Sequence, residues 1–355
     1  MTSIIQTLSD QAIVLLQQLI AIPSFSRGEE RTADAIEQFL VDKGVKPYRK
    51  LNNVWAFSKN FDAAKPTILL NSHHDTVRPN PGYTRDPLDA KMEDGKLYGL
   101  GSNDAGGCLV SLIAVFLYFY EKEQLKYNFC LAATAEEEIS GANGIELILP
   151  ELGKIGFAIV GEPTQMQLAI AEKGLMVLDC VAHGKAGHAA REEGENAIYN
   201  AMKDIDWFRT YRFPKESELF GPVKMSVTII NAGSQHNVVP AECKFTVDVR
   251  VTDVYRNEEV LEVIRQHVKS EVTPRSVRLK PSSIAKSHPI VQAGMALGRA
   301  TYGSPTTSDQ ALLDIPSLKI GPGDSARSHT ADEFVYVDEI TEGIAIYIKM
   351  FESIV

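Results

Sequence analysis

The chain of 355 residues has little cysteine, only two tryptophans and no long uninterrupted apolar run. Its four cysteines, Cys108, Cys130, Cys180 and Cys243, lie far apart with no C-x-x-C pair. That excludes a small disulfide-stapled scaffold. Four reduced core residues in a reducing cytoplasm is the expectation that remains. The nearly apolar run from Leu109 to Tyr120 falls short of the roughly 20 residues that span a bilayer, so it is expected to form a buried helix. The opening MTSIIQTLSDQ lacks a basic stretch and a small-residue cleavage site, which predicts no secretory leader. Positive charge is scarce too: 36 Lys and Arg against 46 Asp and Glu give a net charge of −10. Nucleic acid and anionic membrane both require a basic surface, so neither is expected as a partner. There is no internal repeat and no low-complexity segment.

What the chain does have is apolar material, 44% of its residues, and a length beyond what one core usually serves. Two domains are expected. A helix over 9–21, with Ser9 as its cap and Ile22-Pro23 as its stop, precedes a second over 30–43 closed by Gly44. Apolar strands follow at 67–71, 128–134 and 157–160, with helices after Gly106 and over 144–149. Such alternation predicts an α/β sheet with helices on its faces. After Glu172 the order becomes strand (174–182), helix (196–208), two strands (223–231 and 241–251), helix (257–269) and strand (276–280). This β-α-β-β-α-β order is the ferredoxin-like unit. A helix over 289–301, a strand at 317–320 and a closing helix over 338–353 resume the first pattern. The predicted architecture is an α/β domain, 1–172 and 284–355, interrupted by an inserted α+β domain, 173–283.

Ionisable clusters follow three of the strands: Ser72-His73-His74-Asp75, Ala135-Glu136-Glu137-Glu138 and Gly161-Glu162-Pro163. Ligands of open α/β sheets bind at the carboxyl ends of strands, so these groups can converge on one crevice. A glycine-rich loop, Gly99-Leu-Gly-Ser-Asn-Asp104-Ala-Gly-Gly, leads into the buried helix. It matches neither G-x-G-x-x-G nor a phosphate loop with its Lys; its glycines instead let backbone approach closely around Asp104. A fifth group, Gly321-Pro-Gly-Asp324-Ser-Ala-Arg-Ser-His329, follows 317–320. Together these offer imidazoles and carboxylates but no thiolate, a set that suits zinc, cobalt or manganese. One carboxylate bridging two cations and a spare carboxylate as base would make a two-metal hydrolase. Alone, each has a plainer reading: a solvated acidic turn for Glu136-Glu137-Glu138, a helix cap for Asp104, a loop histidine for His329. His183, His236, His267 and His288 read as surface or structural residues.

In their order these segments resemble the acetylornithine deacetylase and succinyl-diaminopimelate desuccinylase family of di-zinc amidohydrolases, which also includes carboxypeptidases and aminoacylases. HHDTV resembles its H-x-D motif, GLGSNDAGG its bridging-aspartate loop, TAEEEISGANG its paired-glutamate motif, IVGEPT its ligand motif and GPGD…SHTADE its C-terminal histidine motif. The resemblance covers essentially the whole chain. It implies a di-zinc peptidase-like catalytic domain with an inserted ferredoxin-like dimerisation domain, and a homodimer formed through the insertion. It implies two divalent metal ions, zinc first with cobalt or manganese as alternatives. His73 and Glu162 would hold one, Glu138 and His329 the other, and Asp104 would bridge them. The motif spacing selects His73 over His74. Asp75 then orients a ligating imidazole, and Glu137, in preference to Glu136, is the general base. Gly187-His188 resembles the motif whose histidine reaches a neighbouring subunit's site and stabilises the oxyanion. Asn237 resembles an asparagine near the same site. Arg250 resembles the arginine that forks onto a substrate carboxylate; its plainer reading is an inter-strand ion pair. The chain departs from the family at Leu100, where a basic residue is common, and at Ala105-Gly106, where Met-Lys is. The bridging role needs only a carboxylate, so it stays with Asp104.

The TSDQALL and NAGSQHNVVPAEC stretches and the compact length look more like acetylornithine deacetylases than like longer dipeptidases. The expected substrate is therefore an N-acyl amino acid, N-acetyl-L-ornithine first, a reaction that would serve arginine biosynthesis. N-succinyl-ornithine and succinyl-diaminopimelate are the alternatives; their extra carboxylate would require a further cation such as Lys185, Arg191 or Arg327. A carboxypeptidase or dipeptidase is the next, and a non-catalytic metal-binding protein that keeps the fold is the reading from a different class.

Overall fold

The computed structural model describes residues 2–355. They fall into two compact units. The first holds the chain up to Ile170 with Ser283–Tyr302 and Ser308–Val355; the second holds Ala171–Ser282 and Gly303–Thr307.

The first unit is built on a mixed sheet whose central strands Asn128–Thr134, Thr67–His73, Ile155–Val160 and Ser317–Lys319 lie side by side and parallel. Thr67–His73 and Asn128–Thr134 are buried at every position, as parallel strands covered on both faces must be. Alternate side chains serve two cores. Ile68, Leu70, Phe129 and Leu131 join one apolar cluster, while Leu69, Cys130, Ala132 and Ala158 join another on the opposite face. The first cluster is covered by Thr2–Ile20, Gly107–Phe119 and Val337–Glu352, the second by Ile145–Ile148 and its neighbours. Gly107–Phe119 is apolar all round and buried from Gly107 to Phe116, which identifies it as a core helix. Its longer apolar stretch Ser102–Phe119 is 83% buried. All four cysteines are buried free thiols.

The second unit carries a four-stranded antiparallel sheet in the order Lys224–Ala232, Glu242–Val251, Gly174–His183, Glu271–Pro274. In chain order that is 2-3-1-4, the ferredoxin-like arrangement. Cys243, Phe245, Val247, Val249 and Val251 point into a core with residues of the helices Ala197–Thr210 and Asn257–His267. Asn196 caps the first of these, accepting from Ile198 N at 2.9 Å. Gly303 lies against the ring of Phe220, where a Cβ would come within 2.4 Å.

Three elements differ from the sequence expectation. The first helix begins at Thr2, so Ser9 is interior and donates back to Ile5 O at 2.8 Å instead of capping. The last strand of the second unit is Glu271–Pro274, not 276–280, because the carbonyls of Val277 and Leu279 accept from the Asn257 side chain at 3.0 and 2.8 Å. The helix from Pro289 ends at Ala296, where Gly298 takes a φ of +79°, and Thr301–Ser304 is extended.

Candidate metal centre

Parallel pairing aligns the carboxyl ends of the central strands: His73 sits opposite Thr134, and Asn71 opposite both Ala132 and Val160. The loops after them carry Glu137, Glu138 and Glu162, and the segment after Ser317–Lys319 carries His329. Asp104 arrives from a tight turn over Ser102–Gly106 that feeds the core helix; its φ of −118° and ψ of 96° break the helical path there. Glycine is required around it, since a Cβ on Gly106 would meet Gly101 O at 2.5 Å.

The five expected ligands and Glu137 converge. His73 Nε2 lies 3.3 Å from Asp104 Oδ1, 3.7 Å from Glu162 Oε1 and 3.9 Å from Glu137 Oε2. His329 Nε2 lies 3.0 Å from Glu138 Oε2 and 3.6 Å from Asp104 Oδ2. Asp104 thus turns one oxygen to each histidine. His73, Asp104 and Glu138, and separately His73, Glu137 and Glu162, each offer donor atoms within 4.8 Å of one another. The cluster is graded: the His73 side chain is 1% exposed and that of His329 55%, so the second imidazole forms the solvent edge.

Asp75 organises this cluster from behind. Its main-chain oxygen is 2.9 Å from His73 Nδ1 and its carboxylate 3.4 Å. A carbonyl only accepts, so a neutral His73 carries its proton on Nδ1 and presents Nε2 to the cluster. The same carboxylate accepts from Ser26 Oγ at 2.7 Å and from the amides of Glu137 and Glu138 at 3.0 and 3.2 Å, setting the acidic turn. His74 faces away. It is buried, engaged by Thr32 Oγ1 and Asn52 O, and burial pushes its pKa down to about 4. Glu136 is engaged too, accepting from Asn143 Nδ2 at 2.9 Å, and a Cβ on Gly141 would collide with it. Glu137 is therefore the glutamate of the run that faces His73 without being a partner of Asn143.

The electrostatics show an excess of negative charge. Burial, with Glu162, Asp309 and Glu138 nearby, drives Glu137 well above the usual carboxylate range, against the pull of His73. Burial, Asp104 and Glu138 push Glu162 up to about 8, against His73 and Lys319. Burial alone would lower His73, but Glu137, Asp104, Asp75 and Glu162 hold it well above its usual value. The bond to Glu138 raises His329 to about 9. Glu138 Oε1 is buried and has no hydrogen-bond partner among the described residues. Buried acids that repel one another, two imidazoles and an orphaned carboxylate oxygen are what divalent cations would satisfy, so the residues fit a metal centre.

The candidates of the second unit are placed differently. Gly187–His188 pairs with Val238–Val239, and Ala189 N donates to Asn237 O at 3.0 Å, so His188 and Asn237 are neighbours on an exposed ribbon. Arg250 donates through Nε and Nη2 to Asp248 at 2.9 and 3.1 Å, an ion pair along one strand. Two acids near the metal centre drew no role from the sequence. Asp309 is buried and accepts from Thr134 Oγ1 at 2.8 Å. Glu333 is buried and accepts from three main-chain amides of the Asp104 loop. A buried acid and a surface acid look alike in sequence, so although Asp309 lies within TSDQALL and Glu333 within SHTADE, neither carried a signal for a role.

A family model described as peptidase family M20/M25/M40 matches residues 69–353. A LysW-lysine/LysW-ornithine hydrolase of Sulfurisphaera tokodaii is 30% identical, over 96% of this chain and 94% of that one. An acetylornithine deacetylase of Myxococcus xanthus is 28% identical, over 87% and 85%. The crystal structure of a dinuclear metal-binding M20 peptidase of Bacillus subtilis matches at a TM-score of 0.73 with 16% identity, covering 98% of this chain and all of that one; at that identity it bears on the fold alone.

Proposed function

The chain belongs to peptidase family M20/M25/M40 and is a hydrolase, and on that premise we propose that it is a two-metal amidohydrolase that cleaves an N-acyl amino acid, N-acetyl-L-ornithine first. The observation that carries the chemistry is Asp104, one oxygen turned to His73 and the other to His329, with Glu137 beside them. The choice of amine rests on the two relatives above, whose names share ornithine.

His73 and Glu162 would hold one divalent ion, Glu138 and His329 the second, and Asp104 both; zinc is the first choice, and cobalt or manganese suit the same donors. When bound, the pair supplies Lewis-acid polarisation of the carbonyl and a lower pKa for water. Glu137 manages the proton. It takes one from water as the water oxygen bonds to the carbonyl carbon, and returns it to nitrogen as the C–N bond breaks, leaving acetate and ornithine. Asp75 keeps His73 oriented and the Glu137 turn in place.

From the second unit, His188 would stabilise the oxyanion in the site of a second copy, with Asn237 beside it. Arg250 would bind the substrate carboxylate; Asp248 takes Nε and Nη2, which leaves Nη1 for that contact. A homodimer through this unit is supported by its edge strand Lys224–Ala232, whose Ile229 and Ile230 are 51% and 53% exposed. Four buried thiols suit a cytoplasmic setting.

The test is amine release by zinc- or cobalt-loaded protein from N-acetyl-, N-succinyl- and N-formyl-ornithine, succinyl-diaminopimelate, a dipeptide and LysW-linked ornithine. N-Acetylornithine is expected to turn over fastest. A preference for another arm reassigns the acyl group, and bound metal with no turnover of any amide would favour the binding-protein reading.

A further inference from the structure

Glu333 is 2% exposed, four residues beyond His329, and its side chain reaches the main chain of the loop that presents Asp104. Oε1 accepts from Asn103 N at 2.8 Å and Asp104 N at 2.9 Å, and Oε2 from Gly101 N at 3.2 Å. Its main-chain oxygen accepts from Gly99 N at 3.0 Å. Four amides of the loop that presents Asp104 therefore end on one residue. Buried amides without acceptors are costly, and this loop breaks from helical geometry at Asp104, so these amides find their acceptors on another segment.

A second tie joins the same two segments. Asn103 accepts from Asp324 N at 3.0 Å through Oδ1 and donates through Nδ2 to Asp324 O at 3.0 Å and Ser328 Oγ at 3.4 Å. His329 lies between the two ties. Asp332, beside Glu333, accepts from the amides of Thr84 and Arg85 at 2.9 and 3.0 Å, which anchors the far side of the segment. A carboxylate buried near Asp104 is unfavourable by itself, and three donated amides offset only part of that cost.

We propose that Glu333 is a positioning residue for the metal centre: by holding the Asp104 loop to the His329 segment, it fixes the separation of the bridging carboxylate and the solvent-edge imidazole. The inference rests on the two-metal reading above. Glu333 touches no reacting atom. Its effect passes through the main chain of Asp104, so it should govern how tightly ions are held.

The comparison that isolates this role uses Asp204 of the second unit, another buried carboxylate that fastens main chain. It accepts from Ser270 N at 2.8 Å and from Lys269 N at 3.2 Å. Metal-free wild type, Glu333→Gln and Asp204→Asn would be titrated with cobalt against a competing chelator, reading the visible cobalt bands and the number of ions bound, with thermal melts alongside. The side-chain amide that Glu333→Gln introduces would turn its NH2 group, a donor, toward a main-chain N–H that needs an acceptor. Expected is a loss of about tenfold or more in affinity for at least one ion in Glu333→Gln, with altered bands. Asp204→Asn should melt earlier yet bind cobalt as the wild type does. Equal affinity and bands in Glu333→Gln and wild type overturn the proposal alone. Wild type that binds no pair of ions overturns the two-metal reading and this inference with it. Should Glu333→Gln not fold, Glu333→Asp, one methylene shorter, is read by the same titration with the same expectation.

Discussion

The two units hold their candidate residues in opposite ways. In the first, Asp104, Glu137, Glu138 and Glu162 are at most 14% exposed, and main-chain bonds to Asp75 and Glu333 set the loops that bear the first three. In the second, His188 and Asn237 stand on an exposed ribbon, and Arg250 is engaged by its own strand neighbour. The first arrangement is preorganised: the fold itself keeps like charges together, where protonation or a bound cation relieves them. The second is exposed surface. A histidine that serves another copy's site cannot be buried in its own, so the same exposure that makes His188 look unremarkable is what its proposed role demands.

Mutation in the first unit should stop chemistry within one chain, and the largest effect belongs to Glu137→Gln. The amide cannot accept a proton, so kcat should fall by about 10²–10⁴-fold. Glu137 is not assigned to an ion, so metal content by elemental analysis should stay at the wild-type level. Wild-type turnover in this variant would move the base elsewhere, and Asp309, also buried beside the cluster, would become the acid to test.

His188→Ala should have a smaller effect, about 10²–10³-fold on kcat, the usual range for one oxyanion donor. Mixing sharpens the point. A Glu137→Gln subunit still offers His188, and a His188→Ala subunit still has Glu137. After the two inactive variants exchange subunits, each mixed dimer should contain one complete site. Random pairing would restore about a quarter of wild-type activity, because about half the dimers are mixed and each has one competent site of two. No recovery, with exchange verified by mass, would show that His188 does not act across the dimer.

The same contrast explains what the sequence disclosed. Central strands were legible because burial on both faces leaves unbroken apolar runs, as in Ile68-Leu69-Leu70. The acids past their ends were legible by position, and the chain does bring His73, Asp104, Glu138, Glu162 and His329 together. The choice between His73 and His74, or between Glu136 and Glu137, needs partners: Thr32 and Asn52 engage His74, and Asn143 engages Glu136. Short strands such as Tyr48–Lys50 and Met92–Glu93 escaped because two or three residues show no period. Glu333 escaped because its hydrogen bonds run to other residues' main-chain amides.

The smallest expected effect is at Arg250, and it tests the second unit's side of the comparison most finely. The guanidinium is one-third exposed and paired with Asp248, itself 31% exposed, so the pair contributes about 0–1 kcal/mol to stability. Arg250→Lys keeps the charge but loses the planar fork, and the single ammonium would stay with Asp248. If Nη1 binds the substrate carboxylate, KM should rise about tenfold, the equivalent of roughly 1.4 kcal/mol, with kcat within about twofold and the melt nearly unchanged. Asp248→Asn is the complementary change. It removes one of the two acceptors and the negative charge, so one further guanidinium N–H is freed, and KM should fall or hold while stability drops slightly. Unchanged KM in both variants would return Arg250 to a strand ion pair and leave the carboxylate's partner to be sought among other cations of the chain, Lys185, Arg191 and Arg327 first.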